Sequence, residues 1–426
     1  MTEPRKQALE LTPSERAQLE GKDGEARRLA MRIVVEMARI CGAAQLVGVT
    51  RAHVDGCLYH GRAGLDFAER LAAAGARVAV PTTLNVGSLD TLHPGLYKGD
   101  PATARLARRL MDAYVDMGCR ATWTCAPYQL EARPWRGEHV AWAESNAIVF
   151  ANSVLGARTA RYGDFMDICA AITGRVPYAG LHTPSARRAR IRFSVERVPR
   201  SLFDEDVGYA ALGLVVGRRA GDAVPVIEGL PPSATEDQLK ALGAAAASSG
   251  SVGLFHAVGL TPEAPTLEAA TGGAPLARVE LSARDLLGEI GALTTTEATR
   301  LDAVSVGTPH FSVTEFERLA GLVGGQRVHP EVEFYASTSR AVLEEVRARG
   351  WLERLESAGV RIVVDTCTYV TPIIRPGAVV MTNSAKWAYY APANIGARVV
   401  FGTLAECVVS GLRGEVWRDP KQWSGL

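Results

Sequence analysis

Apolar residues in the N-terminal part of the chain recur at two different periods, and the switches between them mark out successive helices and strands. In EARRLAMRIVVEMARI the spacing is three and four residues, the pattern of a helix with one buried face, and it stops near Gly42. A shorter helix begins near Ser14 and is broken at Gly21 and Gly24. QLVGVTRAHVDG then reads as a strand entering a polar loop, DFAERLAAAG as a helix ended by Gly75, and RVAVPTTLN as a second strand and loop. The best delimited helix follows. Asp100 is a natural N-cap, Pro101 fits the first helical position where no N–H is needed, and Gly118 stops the run ARLARRLMDAYVDM.

Beyond it the alternation continues with RATWTCA as a strand, a helix within AESNAIVFANSVLG, another in FMDICAAITG, and strands around VPYAGLH and RFSVERV. From residue 195 a simpler series begins: LFDEDVGYAALGLVVGRRAG as helix, DAVPVIEGL as strand, EDQLKALGAAAASSG as helix and SVGLFHAVGL as strand. The alanine run 244–247 belongs to the second of those helices and is not a linker. In the last third, DAVSVGTPHFS, EVEFYASTS and RIVVDTCTYV are apolar strands ending in small polar residues. Ser312 and Glu315 have capping-box spacing, which puts a helix N-terminus just after His310. The pattern defines an α/β chain of three lobes, 1–194, 195–290 and 291–426. Open parallel sheets bind ligands beyond the carboxyl ends of their strands, so the polar residues at those ends become candidates.

Composition narrows the function mainly by exclusion. The 47 basic and 46 acidic residues leave a net charge of +1, with no field to draw nucleic acid or an anionic membrane. No window approaches the ~20 apolar residues of a membrane helix, and the N-terminus has no apolar core of signal-peptide length, which points to the cytoplasm. Seven cysteines, an odd number without regular spacing, argue against a disulfide framework, so each is core filler, metal ligand or nucleophile. A Walker A loop, a strand-coupled G-x-G-x-x-G, an H-E-x-x-H and a C-x-x-C are all absent.

Six segments carry candidate chemistry. Cys125 in TCAPY, Cys367 after RIVVDT and Cys57 in HVDGCLYHG each follow an apolar strand, and thiolates brought together from separate turns are the usual supply for an iron–sulfur cluster. For any single cysteine, ordinary burial remains the commoner fate by about two to one. Cys41, Cys119, Cys169 and Cys407 lie in or beside helices and are read as structural. ESNAIVFANSVLGARTARYGDF brackets a helix with Ser145, Asn146, Asn152, Arg158 and Thr159, either an anion grip or an N-cap at one end and solvated charge at the other. TNSAKWAYYAP puts Lys386 beside Ser384 and three aromatics, either a shielded cation or part of a core, and GTPHFS places His310 at a strand end.

Together these segments resemble the aconitase X family, a divergent branch of the aconitase superfamily. The likeness runs from LTPSERAQLEGKDGEARRLAM through RAHVDGCLYHG, VPTTLNVGSLD, TCAPY, ESNAIVFANSVLGARTARYGDF and GTPHFS to TNSAKWAYYAP and GLRGEVW, nearly the whole chain. It implies an aconitase-like multi-lobed α/β fold with largely parallel sheets and a hydro-lyase that removes water from a small β-hydroxy acid. Two activities are known in the family, dehydration of cis-3-hydroxy-L-proline and dehydration of mevalonate 5-phosphate. HVDGCLYHG favours the first. A non-catalytic small-molecule-binding relative is the alternative of another class.

The resemblance further implies an iron–sulfur cluster, two-iron in preference to four-iron, or a mononuclear iron. Cys57, Cys125 and Cys367 are its candidate ligands, with Thr308 standing where family members often carry cysteine. Lys386, Ser384 and His310 become candidate catalytic groups, and Ser145, Asn146, Asn152, Arg158, Thr159, His53 and Thr83 candidate substrate contacts. Ala160 and Ala385 also depart from the family pattern, and GLHTPSARRARI lacks its acidic-Asn-Arg sequence. The superfamily completes its site with a small swivelling domain. None is recognisable after GLRGEVWRDPKQWSGL, so a separate small subunit is the expected partner, with no nucleic acid and no membrane.

Overall fold

The computed structural model describes residues 8–420; the extreme ends, read above for a targeting sequence and for a further domain, lie partly outside that range. Among the described residues there are three parallel sheets and one small antiparallel pair. The first lobe is built on a short sheet of order Thr82–Leu84, Ala52–Val54, Ala141–Trp142. QLVGVTRAHVDG is not one strand but two. Leu46–Gly48 pairs antiparallel with Arg175–Pro177, and only Ala52–Val54 enters the parallel sheet. Between them Thr50 and Arg51 both bind the buried Glu138 carboxylate, Arg51 through Nε at 2.8 Å, and that anchor turns the chain. RATWTCA likewise makes no strand beyond a single bridge between Arg120 and Thr83, because Trp123 adopts φ +43° and leaves the extended region.

The middle lobe carries a four-stranded sheet of order His256–Ala257, Pro225–Glu228, Ile191–Ser194, Arg278–Glu280. Its strand Ile191–Ser194 lies before residue 195, and helix Ala283–Leu293 runs past residue 290, so both boundaries drawn from the sequence cut elements of this lobe. Helices Asp206–Ala220 and Glu236–Ser249 pack closely here. A Cβ on Gly213 would sit 2.2 Å from the Leu242 carbonyl oxygen, so only glycine permits the approach.

The third lobe has five strands in the order Val360–Val363, Glu333–Thr338, Ala303–Phe311, Val379–Thr382, Arg398–Phe401, all parallel. Every residue of Ala303–Phe311 is buried, as a strand covered on both faces requires. Its pairing with Glu333–Thr338 is regular to Val306, breaks, and resumes at Phe311. Gly307 sits at the break with φ +87°, and a Cβ there would lie 2.2 Å from the Ser337 carbonyl oxygen. The interruption frees Thr308 and His310 from the ladder. Gly307→Ala is therefore expected to destabilise the protein by ~3 kcal/mol or more, measured by urea denaturation, through clash and a positive φ together.

Ser312 then caps helix Val313–Val323 with Glu315 returning the bond, as their spacing predicts. The first and third lobes are tied by backbone: the Gly87 N–H donates to the Asp365 carbonyl at 2.7 Å and the Lys98 N–H to that of Pro372 at 2.8 Å. No helix among the described residues is long and apolar enough to cross a membrane.

Candidate metal centre

Two loops at the junction of the first and third lobes bring Cys125 and Cys367 together, and with His310 their ligand atoms all lie within 4.8 Å of one another, fully buried. The loops share a local device. Two residues before each cysteine stands a non-glycine residue with positive φ, Trp123 at +43° and Asp365 at +62°. Such backbone costs about 1 to 3 kcal/mol and persists only where surrounding contacts enforce it. For Asp365 those contacts are Arg340, whose Nε donates at 2.7 Å, and the Thr91 hydroxyl at 2.6 Å. The cysteines pack against Val86, Tyr369 and Val370, and the bond with Cys125, together with burial, pushes the Cys367 thiol well above its ordinary pKa.

His310 organises this pair more than it competes for a metal. Its backbone N–H donates to Cys125 Sγ at 3.2 Å. In the ring, Nε2 lies 3.2 Å from the Thr366 carbonyl, which can only accept, so Nε2 carries the proton. Nδ1 then accepts from the Thr124 hydroxyl at 3.1 Å, whose oxygen in turn accepts the Ala126 N–H. Burial holds the imidazole neutral, with its pKa down at about 4. With both nitrogens hydrogen-bonded, His310, a candidate catalytic group from sequence, braces the thiols in this structure.

Lys386, at the start of helix Ala385–Ile395, reaches across to Glu144, and the two form a buried ion pair. Burial disfavours the ammonium, but Glu144 outweighs it and the lysine is held protonated, its pKa well above ordinary. Burial also opposes the Glu144 charge. Lys386, the Ala147 N–H at 2.9 Å and the Asn146 amide overcome it and hold the carboxyl below its usual range. Glu144 is the N-cap of helix Ser145–Ser153, and sequence reading passed over it. A glutamate just before a Ser-Asn helix start was the available signal.

Ser145 lies 3.5 Å from Lys386 Nζ, so it belongs to this centre. Asn146 does too, but as a brace: its amide donates to the Cys125 carbonyl at 3.0 Å and its oxygen accepts from Tyr128. Ser384 is likewise committed. It caps the Lys386 helix, accepting the Trp387 N–H at 3.0 Å, and donates to the Thr308 carbonyl, which leaves it no free hydroxyl chemistry. Thr308 Oγ1 and Asn383 Oδ1 are buried without a partner, and both residues line a cavity of about 30 Å³ with Ser384 and Lys386. His53 stands against Trp142, with Nδ1 2.8 Å from the Thr83 hydroxyl and the ring also beside the Thr124 backbone. Burial, against the pull of Glu144, lowers its pKa to about 4.

Four expected site residues lie elsewhere. Cys57 is in the first-lobe core, its thiol facing the carbonyls of Asn85, Val54 and Val86 at 3.4 to 3.7 Å, so it does not join the other two thiols. Asn152 has every hydrogen-bonding group satisfied, bonding Thr159, Gly253 and Arg187. Thr159 closes onto Trp142. Asn152 lies near the C-terminal end of helix Ser145–Ser153; past it the chain turns back, Arg158 bridging to His139 and Thr159 bonding the Trp142 backbone, where both act as structural braces. Of the cysteines read as structural, Cys119, Cys169 and Cys407 are buried and Cys41 is exposed; all seven are free thiols.

Beside Cys57, burial raises two carboxyls, Asp55 to about 7 and Asp167 to about 6. In the unfolded chain both ionise near ~4, so the folded protein holds protons that the unfolded chain releases, and stability falls as pH rises from ~4 to ~7. Asp55→Asn should keep the contact with Asn85 and flatten that slope by roughly 1 to 3 kcal/mol, read from denaturation midpoints across the window.

A dithiol centre at the converging carboxyl ends of two parallel sheets, with a buried lysine and carboxylate beside it, defines a three-lobed α/β protein equipped to hold a soft metal group against a small acid. The chain belongs to the aconitase X family: models of its first, second and third domains match residues 8–185, 189–290 and 301–413. It is 46% identical to cis-3-hydroxy-L-proline dehydratase of Pseudomonas aeruginosa, over 94% of this chain and 69% of that protein. To the enzyme of the same name from Hypocrea jecorina it is 42% identical, over 96% and 69%. The phosphomevalonate dehydratase large subunit of Methanothermobacter thermautotrophicus is 38% identical, over 92% of this chain and 96% of that one. The holo-form crystal structure of Thermococcus kodakaraensis aconitase X superposes with a TM-score of 0.84 at 32% identity, covering 95% of this chain and all of that one.

Proposed function

We propose that this chain is the large catalytic part of a hydro-lyase that removes water from cis-3-hydroxy-L-proline. The observation that carries the reading is the 46% and 42% identity to two dehydratases of that name over almost the whole chain. Phosphomevalonate dehydration is the second reading, favoured by coverage: the chain spans 96% of the archaeal large subunit but 69% of the hydroxyproline enzymes.

Dehydration of a β-hydroxy acid takes a proton from the carbon beside the carboxylate and hydroxide from the next carbon. Cys125 and Cys367 would hold an iron–sulfur group, two-iron in preference to four-iron. Two adjoining buried thiols with an N–H donated to one sulfur suit it, and when bound it supplies a Lewis acid to the leaving oxygen. Lys386 sets a fixed positive charge for the substrate carboxylate and for the charge that builds on it as the adjacent C–H ionises. Ser145 braces this arrangement, donating its hydroxyl to Glu144 while its oxygen faces the Lys386 ammonium at 3.5 Å.

We assign the proton acceptor to a small partner domain. Lys386 is held protonated, His310 and Ser384 have no free group, and Glu144 is engaged by four donors. His53 is fully buried, held by Thr83 and by a backbone bond to Thr124, and burial keeps it neutral. The compartment we propose is the reducing cytoplasm, in keeping with seven unpaired thiols.

The test is anaerobic reconstitution with iron and sulfide, followed by assay of cis-3-hydroxy-L-proline and mevalonate 5-phosphate with and without a co-purifying small chain. Turnover of hydroxyproline dependent on the small chain supports the reading. Turnover of mevalonate 5-phosphate alone replaces it with the second. Full activity of this chain by itself removes the partner.

A further inference from the structure

Where the first lobe meets the second, a cavity of about 530 Å³ is lined by Arg136, Arg158, Arg187 and Arg188, with Glu263 and His256 among the other wall residues. It lies past the C-terminal end of helix Ser145–Ser153, whereas Lys386 and the thiols meet the N-terminal end. Arg187 takes both oxygens of Glu263, at 2.8 and 3.1 Å, and spends its remaining N–H groups on Asn152 and the Leu181 carbonyl. That cancels the carboxylate. Arg136, Arg158 and Arg188 form no ion pair among the described residues, so three positive charges border the cavity uncompensated.

Two polar atoms of the wall residues are also stranded. Arg158 Nε is a buried donor without an acceptor, and His256 Nδ1 is buried without a partner. The His256 ring is fixed by the bond of Nε2 to the Arg187 carbonyl at 2.7 Å. A carbonyl only accepts, so Nε2 carries the proton and Nδ1 offers a bare lone pair. Both stranded atoms have almost no accessible area, so a ligand in the cavity meets the charges of Arg136, Arg158 and Arg188 and not these atoms. We propose that the cavity is a second anion site, separate from the dithiol centre, for a small oxyanion, with inorganic phosphate as its simplest member.

Isothermal titration of the full chain at low ionic strength with inorganic phosphate tests this. Phosphate should bind saturably at one site. Arg136→Gln with Arg188→Gln, both exposed, should weaken binding about tenfold or more and leave dehydratase activity unchanged. Cys125→Ser should leave the binding as it is, which separates this site from the proposed catalytic reading. Absence of saturable binding, an adventitious ion only, or wild-type affinity in the double arginine variant would overturn the proposal.

Discussion

Replacing Cys125 or Cys367 with serine should lower dehydratase activity by about three orders of magnitude or more and abolish retained iron and visible colour, with little loss of stability. Each residue contributes a buried sulfur to a contact in which the other thiol is its nearest soft partner. A serine hydroxyl fits the space but is a much poorer ligand for iron, so the defect should appear in metal content before it appears in folding. Cys41→Ser is the control, because Cys41 is exposed at a helix end and should change nothing. Cys57→Ser separates the sequence expectation from the structure. If Cys57 were a ligand, its loss would remove iron as completely as that of Cys125; packed against three carbonyls, it should cost stability and spare the metal. Iron and sulfide analysis of the anaerobically purified variants decides. Full iron in Cys125→Ser would remove the dithiol centre from the mechanism.

The three cysteines show what could be read from sequence. Each follows an apolar run that reads as a strand, but only those before Cys57 and Cys367 form one, and only Cys125 and Cys367 meet. Which of them meet depends on how two sheets face one another, and on turns such as those at Trp123 and Asp365, whose positive φ nothing in side-chain type announces. Most helices were legible because periodicity and capping are local, as at Asp100 and Ser312. Short strands were not. Three residues such as Ala52–Val54 carry too little alternation to separate them from Leu46–Gly48 nearby, and the boundary at 195 fell just past a strand whose partners lie far along the chain.

The polar segment after Glu144 reads from sequence either as an anion grip or as a cap with solvated charge, and its direction is not legible there. The helix start holds Ser145 at the dithiol centre, whereas Arg158, beyond the helix end, borders the arginine cavity. Ser384 shows the complementary error. Its neighbours suggested chemistry, whereas the hydroxyl is consumed by a helix cap and by the Thr308 carbonyl. Glu144 was missed because its importance comes from Lys386, 242 residues away.

That pair carries the second large effect. Lys386→Met should destabilise the protein by roughly 3 to 5 kcal/mol, because it strands the Glu144 carboxylate in the interior, while the reverse change, Glu144→Gln, strands the ammonium. Glutamine can keep the cap on the Ala147 N–H, so Glu144→Gln isolates the loss of charge from the loss of the helix start. The double variant Lys386→Met with Glu144→Gln removes both charges together and should recover much of the stability lost by either single change, a coupling visible in a double-mutant cycle of urea denaturation. Activity should not recover with it. If Lys386 supplies the positive charge for the substrate carboxylate, the stable double variant should remain at least about a hundredfold slower than the parent even with the metal group retained. A double variant that folds, keeps its iron and turns over at the parent rate would make the pair a structural strut and remove Lys386 from substrate binding.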